Sequence, residues 1–287
     1  MTLRFLSASA VVLALCGLIS CVNLENTLLF AAGNSSGHVD EYHLQDSLSG
    51  IPQSEWALYE EVGQIRTDAL LLKGDTAVLS PRKRRLVLFF NARDVCLLSG
   101  VTIAKQFRSL GFDFFTLDYR GYGRSYPDFE PSEESVYRDG EAALSFLNDS
   151  LGYPDSSIIL TGFSLGTGVA TELATRRACR ALVLFAAYTT MDNAVETLAG
   201  GYDIPGDWVL EAELDNLSKI DGIEMPLCLF SGEDDTFVTP GHTEQLFRKA
   251  GHPKEKHLLP NQDHNRFVRE SFDQWSKLFT AFAGSLD

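Results

Sequence analysis

The segment Ile158-Ile159-Leu160-Thr161-Gly162-Phe163-Ser164-Leu165-Gly166-Thr167-Gly168 decides how this chain is read. Its first four residues have the composition of a strand, and a helix-compatible run follows from Gly168 to Arg177. Between them lies G-x-S-x-G, the pattern of a sharp strand–turn–helix corner that lifts a serine hydroxyl to the carboxyl edge of a sheet. A serine at such a corner takes a strained backbone conformation, and neighbours without a Cβ let strand and helix approach closely. The hydroxyl then lies at the positive end of a helix dipole. Ser164 is the candidate nucleophile.

Outward from this corner the chain keeps a regular rhythm. Leu86–Phe90, Phe112–Leu117, Ile158–Thr161, Ala181–Phe185, Leu227–Ser231 and His257–Leu259 read as short apolar strands. Val101–Leu110, Ser132–Leu151, Gly168–Arg177 and Gly241–Ala250 read as helices, and Phe267–Phe282 as a closing helix that packs on the sheet. Near-continuous apolar strands separated by helices predict an α/β fold, a mostly parallel central sheet flanked by helices. Ahead of them, Glu60–Leu72 and Thr76–Leu79 predict a strand pair turning at Lys73-Gly74-Asp75. The stretch from Met191 to Met225 lies where a lid would sit and is short, so the lid is minimal. The expected organisation is a signal at 1–20, an extension over 21–60 and one catalytic domain over 61–287.

A serine hydroxyl is a weak nucleophile until a base takes its proton. On this architecture the acid and then the histidine follow the serine in the chain. Four histidines lie downstream: His242, His252, His257 and His264. His264, in Pro260-Asn261-Gln262-Asp263-His264-Asn265, falls between the last strand and the final helix, where an imidazole reaches across the sheet edge. The preceding strand, Leu227–Ser231, ends in Gly232-Glu233-Asp234-Asp235-Thr236-Phe237-Val238. Three adjacent carboxylates there are candidates for the acid, and position alone does not choose among them.

From Leu86 to its end the chain resembles the α/β-hydrolase superfamily, and within it the alpha/beta hydrolase domain-containing 13/17-type serine hydrolases and their bacterial relatives. Asp118-Tyr119-Arg120-Gly121-Tyr122-Gly123-Arg124-Ser125 is similar to their D-Y-R-G-Y-G-x-S loop, and Gly162-Phe163-Ser164-Leu165-Gly166 to their nucleophile elbow. Gly232–Val238 is similar to their G-x-x-D-x-x-V, which selects Asp235 as the acid, and Asp263-His264-Asn265 to the D-H-N that carries the base. The resemblance implies ester or thioester hydrolysis, with deacylation of lipidated, for example palmitoylated, proteins in some members. It also implies an oxyanion hole built from the backbone N–H of Leu165 and that of Asn91 or Ala92. One departure stands out: Phe89-Phe90-Asn91-Ala92 replaces the usual His-Gly-Asn-Ala. Loss of one such donor costs about 10²–10³ in rate. A catalytically impaired binding or scaffold module on the same fold is therefore the alternative reading. Phe89, Phe90, Phe163, Tyr188 and Trp208 are candidates for an apolar wall.

The amino terminus joins a short basic start, Met1–Arg4, to an uncharged run, Phe5–Ser20. Its Leu18-Ile19-Ser20-Cys21 ending resembles the lipobox of bacterial lipoproteins. That implies lipidation of Cys21 and an extracytoplasmic enzyme anchored in the cell envelope, with the membrane as a partner through lipid. Of five cysteines, Cys96, Cys179 and Cys228 remain beyond Cys16 and Cys21, with no CxxC spacing; Cys228 reads as a buried small hydrophobe. Acidic side chains outnumber basic ones 39 to 24, a net charge of −15, which argues against nucleic acid as a partner. Within that acidic chain the basic run Pro81–Arg85 reads as a solvated loop. No H-E-x-x-H, Walker loop or post-strand G-x-G-x-x-G occurs, so the expected chemistry uses neither metal nor cofactor.

Overall fold

The computed structural model describes residues 45–78, 85–93, 95–123, 125, 129–198, 212–264 and 266–286. A hairpin of β1 (Trp56–Val62) and β2 (Ile65–Leu72) leads into alternating elements: β3 (Leu86–Phe90), α1 (Leu97–Ser109), β4 (Asp113–Leu117), α2 (Glu133–Asp149), β5 (Ile158–Phe163), α3 (Leu165–Arg176) and β6 (Ala181–Phe185). Then come α4 (Met191–Leu198), α5 (Asn216–Lys219), β7 (Leu227–Gly232), α6 (Pro240–Lys249), β8 (Lys254–Leu259), α7 (Phe267–Glu270) and α8 (Phe272–Ser285). The eight strands form one sheet in the order β1-β2-β4-β3-β5-β6-β7-β8. β2 runs antiparallel to both neighbours, and β4, β3, β5, β6, β7 and β8 are mutually parallel.

Every residue of β3, β4 and β6 is buried, as expected of parallel strands covered by helices on both faces. On one face α8 supplies Trp275 and Phe279, whose rings lie 5.0 and 5.1 Å from Phe107 of α1. Phe185 of β6 stacks on Phe230 of β7 at 4.7 Å and meets Trp275 edge-on. On the other face α2 lies so close to α3 that a Cβ added at Gly140 would sit 2.8 Å from Val169 and Leu173. α2 starts at a capping box, with Ser132 and Ser135 bonding each other's backbone N–H. β8 closes one edge of the sheet with Lys254, Glu255 and Lys256, charges that discourage further strand pairing.

Four expectations change. The hairpin turns at Gly63-Gln64, where Val62 pairs with Ile65 and Gly63 adopts a left-handed φ of 65°. Lys73-Gly74-Asp75 is no hairpin turn: a Cβ at Gly74 would lie 2.3 Å from the Gly111 carbonyl oxygen, so this glycine serves a close approach. The expected boundary at residue 61 falls inside β1, and Leu48 already belongs to the core. The closing helix breaks at Ser271, whose hydroxyl donates to the Phe267 carbonyl and separates α7 from α8. Of the basic run, 81–84 lie outside the described residues; Arg85 is buried and donates to the Ala283 carbonyl instead of being solvated.

Candidate active site

Ser164 follows β5 directly and caps α3 at φ 51°, ψ −119°, a region that a residue with a side chain rarely occupies. The flanking glycines make this corner sterically feasible. A Cβ at Gly162 would sit 2.3 Å from the Gly166 carbonyl oxygen, and one at Gly166 would sit 2.1 Å from that of Phe90. Behind the corner, Thr167 binds the Ser164 carbonyl through both its amide, at 2.8 Å, and its hydroxyl, at 2.6 Å. Asn216 in turn donates to the Thr167 hydroxyl and to the Tyr188 carbonyl.

His264 arrives from the loop after β8 and Asp235 from the loop after β7. His264 Nε2 lies 2.9 Å from Ser164 Oγ, and His264 Nδ1 lies 2.7 Å from Asp235 Oδ2. With the proton on Nδ1, the imidazole donates to the carboxylate and accepts from the serine hydroxyl, forming one continuous chain of hydrogen bonds. The Asp235 side chain is fully buried, and that of His264 is 13% exposed. The other Asp235 oxygen accepts the amides of Phe237 (2.9 Å) and Val238 (2.7 Å), which fixes the carboxylate's direction. Glu233 and Asp234 are exposed. Of the three adjacent acids, only Asp235 is brought to His264.

Gly232 sets the distance between the two loops. A Cβ there would lie 2.3 Å from the Gln262 carbonyl oxygen, which accepts the Asp234 amide at 3.0 Å. Asp263 closes its own turn by accepting the amide of Arg266 and pairing with its guanidinium, so it stays off the relay. Phe163 and Phe237 flank the imidazole with ring centroids at 5.4 and 4.8 Å. Phe237 carries no chemical signal in the sequence beyond its place two residues after Asp235 in Gly232–Val238.

The donors expected of an oxyanion hole lie around this corner. Leu165 is the first residue of α3, so its amide belongs to the open end of a helix. Asn91 and Ala92 follow β3, whose last residue, Phe90, touches the elbow at Gly166. The strand end before them is tied to β4: Asn91 Nδ2 donates to Thr116 Oγ1 and Thr116 Oγ1 to the Phe89 carbonyl, each at 2.9 Å, and Tyr119 OH, just past β4, donates to the Asn91 carbonyl at 3.4 Å. Phe90 is not among the described residues with positive φ, so the position filled by glycine in the resembled pattern needs no glycine here. Phe89, Phe90 and Tyr188 are buried in the core rather than lining a wall, because alternate residues of β3 face the two helix layers. Phe163 is half-buried, while Trp208, residues 199–211 of the expected lid and Cys21 lie outside the described residues.

His242, another of the four downstream histidines, is buried near the site. Its Nδ1 accepts the Thr189 amide at 3.2 Å and lies 3.0 Å from the Thr189 hydroxyl. Burial lowers its pKa, opposed by the charge of Asp235. Cys96, Cys179 and Cys228 are all free and buried. Among the described residues, no helix is long and apolar enough to cross a membrane.

A family model described as serine aminopeptidase, S33, matches residues 83–218. Protein bem46 of Schizosaccharomyces pombe is 31% identical over 196 residues, 65% of this chain and 63% of that protein. Human alpha/beta hydrolase domain-containing protein 17B is 28% identical over 188 residues, 65% of this chain and 62% of that protein. The chain thus spans a little under two thirds of the length of these curated relatives. Among solved structures, an alpha-beta hydrolase from Vibrio vulnificus superposes with a TM-score of 0.71 at 17% identity, covering 97% of this chain and 95% of that one. An esterase from Pyrococcus furiosus superposes at 0.65 with 15% identity, covering 81% and 91%. Strand order, the elbow between β5 and α3 and these likenesses agree: the chain has the α/β-hydrolase fold.

Proposed function

We propose that this protein is a serine hydrolase that cleaves carboxylic ester or thioester bonds through Ser164, His264 and Asp235. The observation that carries this reading is the unbroken hydrogen-bond chain from Ser164 Oγ through the imidazole to a buried carboxylate. His264 takes the serine proton as Ser164 Oγ attacks the acyl carbon. Asp235, held by two backbone amides, keeps the imidazole in one tautomer and stabilises the imidazolium. The Leu165 amide and that of Asn91 or Ala92 receive the oxyanion. His264 then returns the proton to the leaving alcohol or thiol, and the acyl group stays on Ser164. Water, activated by the same imidazole, releases the acid.

The left-handed backbone at Ser164 supports the catalytic reading over a scaffold role, because strain of this kind persists where geometry is used. Solved structures with this fold include esterases, a puromycin-hydrolyzing peptidase and an acylaminoacyl peptidase, which supports hydrolysis as the chemistry. Lipidation of Cys21 would hold the enzyme at a membrane surface, beside acylated lipids and proteins.

Fluorophosphonate labelling of the full chain tests the reading. Wild type is expected to label, and Ser164→Ala and His264→Ala are expected not to. A folded wild type that stays unlabelled overturns it. A panel of acyl esters, acyl thioesters and aminoacyl amides then ranks the leaving groups, and faster amide cleavage would replace the esterase assignment with a peptidase one. Mass spectrometry of membrane-extracted protein, with Cys21→Ser beside it, tests the anchor.

A further inference from the structure

β7 and β8 carry a second group of reactive side chains. Their parallel register sets Cys228 opposite Glu255 and Phe230 opposite His257. Glu255 and His257 are two residues apart on one strand, so they share a face of the sheet. On that face Glu255 Oε1 lies 3.6 Å from Cys228 Sγ and 3.1 Å from His257 Nε2. The three donor atoms all fall within 4.8 Å of one another. Zinc bonds of about 2.3 Å to sulfur and 2.0–2.2 Å to nitrogen or oxygen put tetrahedral ligands roughly 3.3–3.8 Å apart. Small side-chain adjustments therefore bring all three donors onto one ion. Two of the three spacings are already set by strand geometry.

We propose that Cys228, Glu255 and His257 form a binding site for one borderline-soft divalent cation, best suited to Zn²⁺. A thiolate and an imidazole favour zinc over magnesium or calcium, which prefer all-oxygen cages. Cys228 enters as thiolate and its proton passes to solvent as the metal–sulfur bond forms. Cys228 is fully buried, whereas Glu255 and His257 are half-buried on the edge strand, so the ion enters from the edge and keeps a water on its fourth position. The site is separate from the serine chemistry and stands whether or not that chemistry is correct. A bound ion clamps edge strand β8 to β7, the two strands whose following loops hold His264 and Asp235.

Cobalt titration of the metal-stripped full chain is the test, read by thiolate-to-cobalt absorption and by thermal unfolding. One equivalent is expected to produce the absorption band and raise the melting temperature, with Zn²⁺ displacing the cobalt. Cys228→Ser removes the band. Because that change lies in the core, His257→Gln and Glu255→Gln on the edge strand provide independent variants, each weakening binding by at least about 10–100-fold. Exposed Glu134→Gln is expected to change nothing. Absence of the band in wild type overturns the proposal. Undiminished binding in His257→Gln also overturns it, placing the ion on surface carboxylates of this acidic chain.

Discussion

At the amino ends of β4 and β5, the left-handed turns are made by glycines, Gly111 at φ 87° and Gly152 at φ 73°. At the carboxyl ends of β5, β6 and β8, residues with side chains take that conformation: Ser164 at φ 51°, Ala186 at 49° and Asn261 at 57°. The polar groups differ as well. On the amino side, buried Asp113 accepts the Gly74 amide at 2.7 Å and the Tyr153 hydroxyl at 2.6 Å, an arrangement that ties loops together. On the carboxyl side, Asp235 turns one oxygen to its own loop and the other to an imidazole that ends on a strained serine. One end of the sheet uses polar contacts to relax the chain. The other holds about 1–3 kcal/mol of strain at each unfavourable residue so that side chains converge.

The largest effect expected from this contrast is chemical. Asp235→Asn is expected to lower kcat for an acyl ester by about 10⁴-fold, by disturbing the tautomer that His264 needs. Asp234→Asn, one residue away and exposed, is expected to leave kcat near wild type. Equal losses in the two would erase the distinction drawn between them. Next comes Gly232→Ala, whose new Cβ meets the Gln262 carbonyl at 2.3 Å and pushes the His264 loop outward. A fall in kcat/KM of about 10²-fold is expected, with a smaller change in stability. Tyr153→Phe on the amino side is expected to reverse that pattern. Denaturant unfolding should show a loss of about 1–3 kcal/mol, because Asp113 loses a donor, while kcat stays unchanged.

A paired exchange sharpens the comparison further. Gly152→Ala adds a Cβ that meets nothing within 4 Å, so its cost is purely conformational, about 1–2 kcal/mol. Ala186→Gly relieves about 1–2 kcal/mol of strain but loosens the unfolded chain and removes a buried methyl, so a change within about 0.5 kcal/mol of zero is expected from the same unfolding measurement. A loss at Ala186→Gly as large as that at Gly152→Ala would erase the contrast. The smallest effect is at His242, whose pKa burial lowers from its ordinary 6.5. The unfolded imidazole takes a proton where the folded one does not, so this contribution is intact above about pH 6.5 and is lost as pH falls below it. His242→Asn, whose carbonyl can still accept the Thr189 amide, is expected to flatten the acid side of a melting-temperature profile.

Parallel strands were the most legible part of the sequence, because burial on both faces leaves runs such as Leu86–Phe90 and Ala181–Phe185 without a polar residue. The edges were less so. β8 begins Lys-Glu-Lys, and reading it from apolar character alone starts it three residues late, at His257. The Gly74 turn misled for a physical reason: a glycine required by a neighbour's backbone looks the same in sequence as one required by a turn. Ser164 and His264 stood out from pattern and order. Among Glu233, Asp234 and Asp235 the residues themselves gave no choice. What separates them is burial and two loop amides, which exist only once the chain is folded. His242 gave no signal, since its partner Thr189 is 53 residues away.

The aromatic contacts of α8 also bear on the order of events during synthesis. Trp275 and Phe279 close the layer over Phe107 and Phe185, and Arg85 reaches a carbonyl 198 residues further along the chain. A growing chain can pair β3 with β4 and β5 and lay α1 on them early, yet the layer beside α1 stays incomplete until the helix containing Trp275 has emerged. Until then the aromatic side chains that α8 covers are exposed to solvent, so the last helix decides when the sheet becomes a closed core.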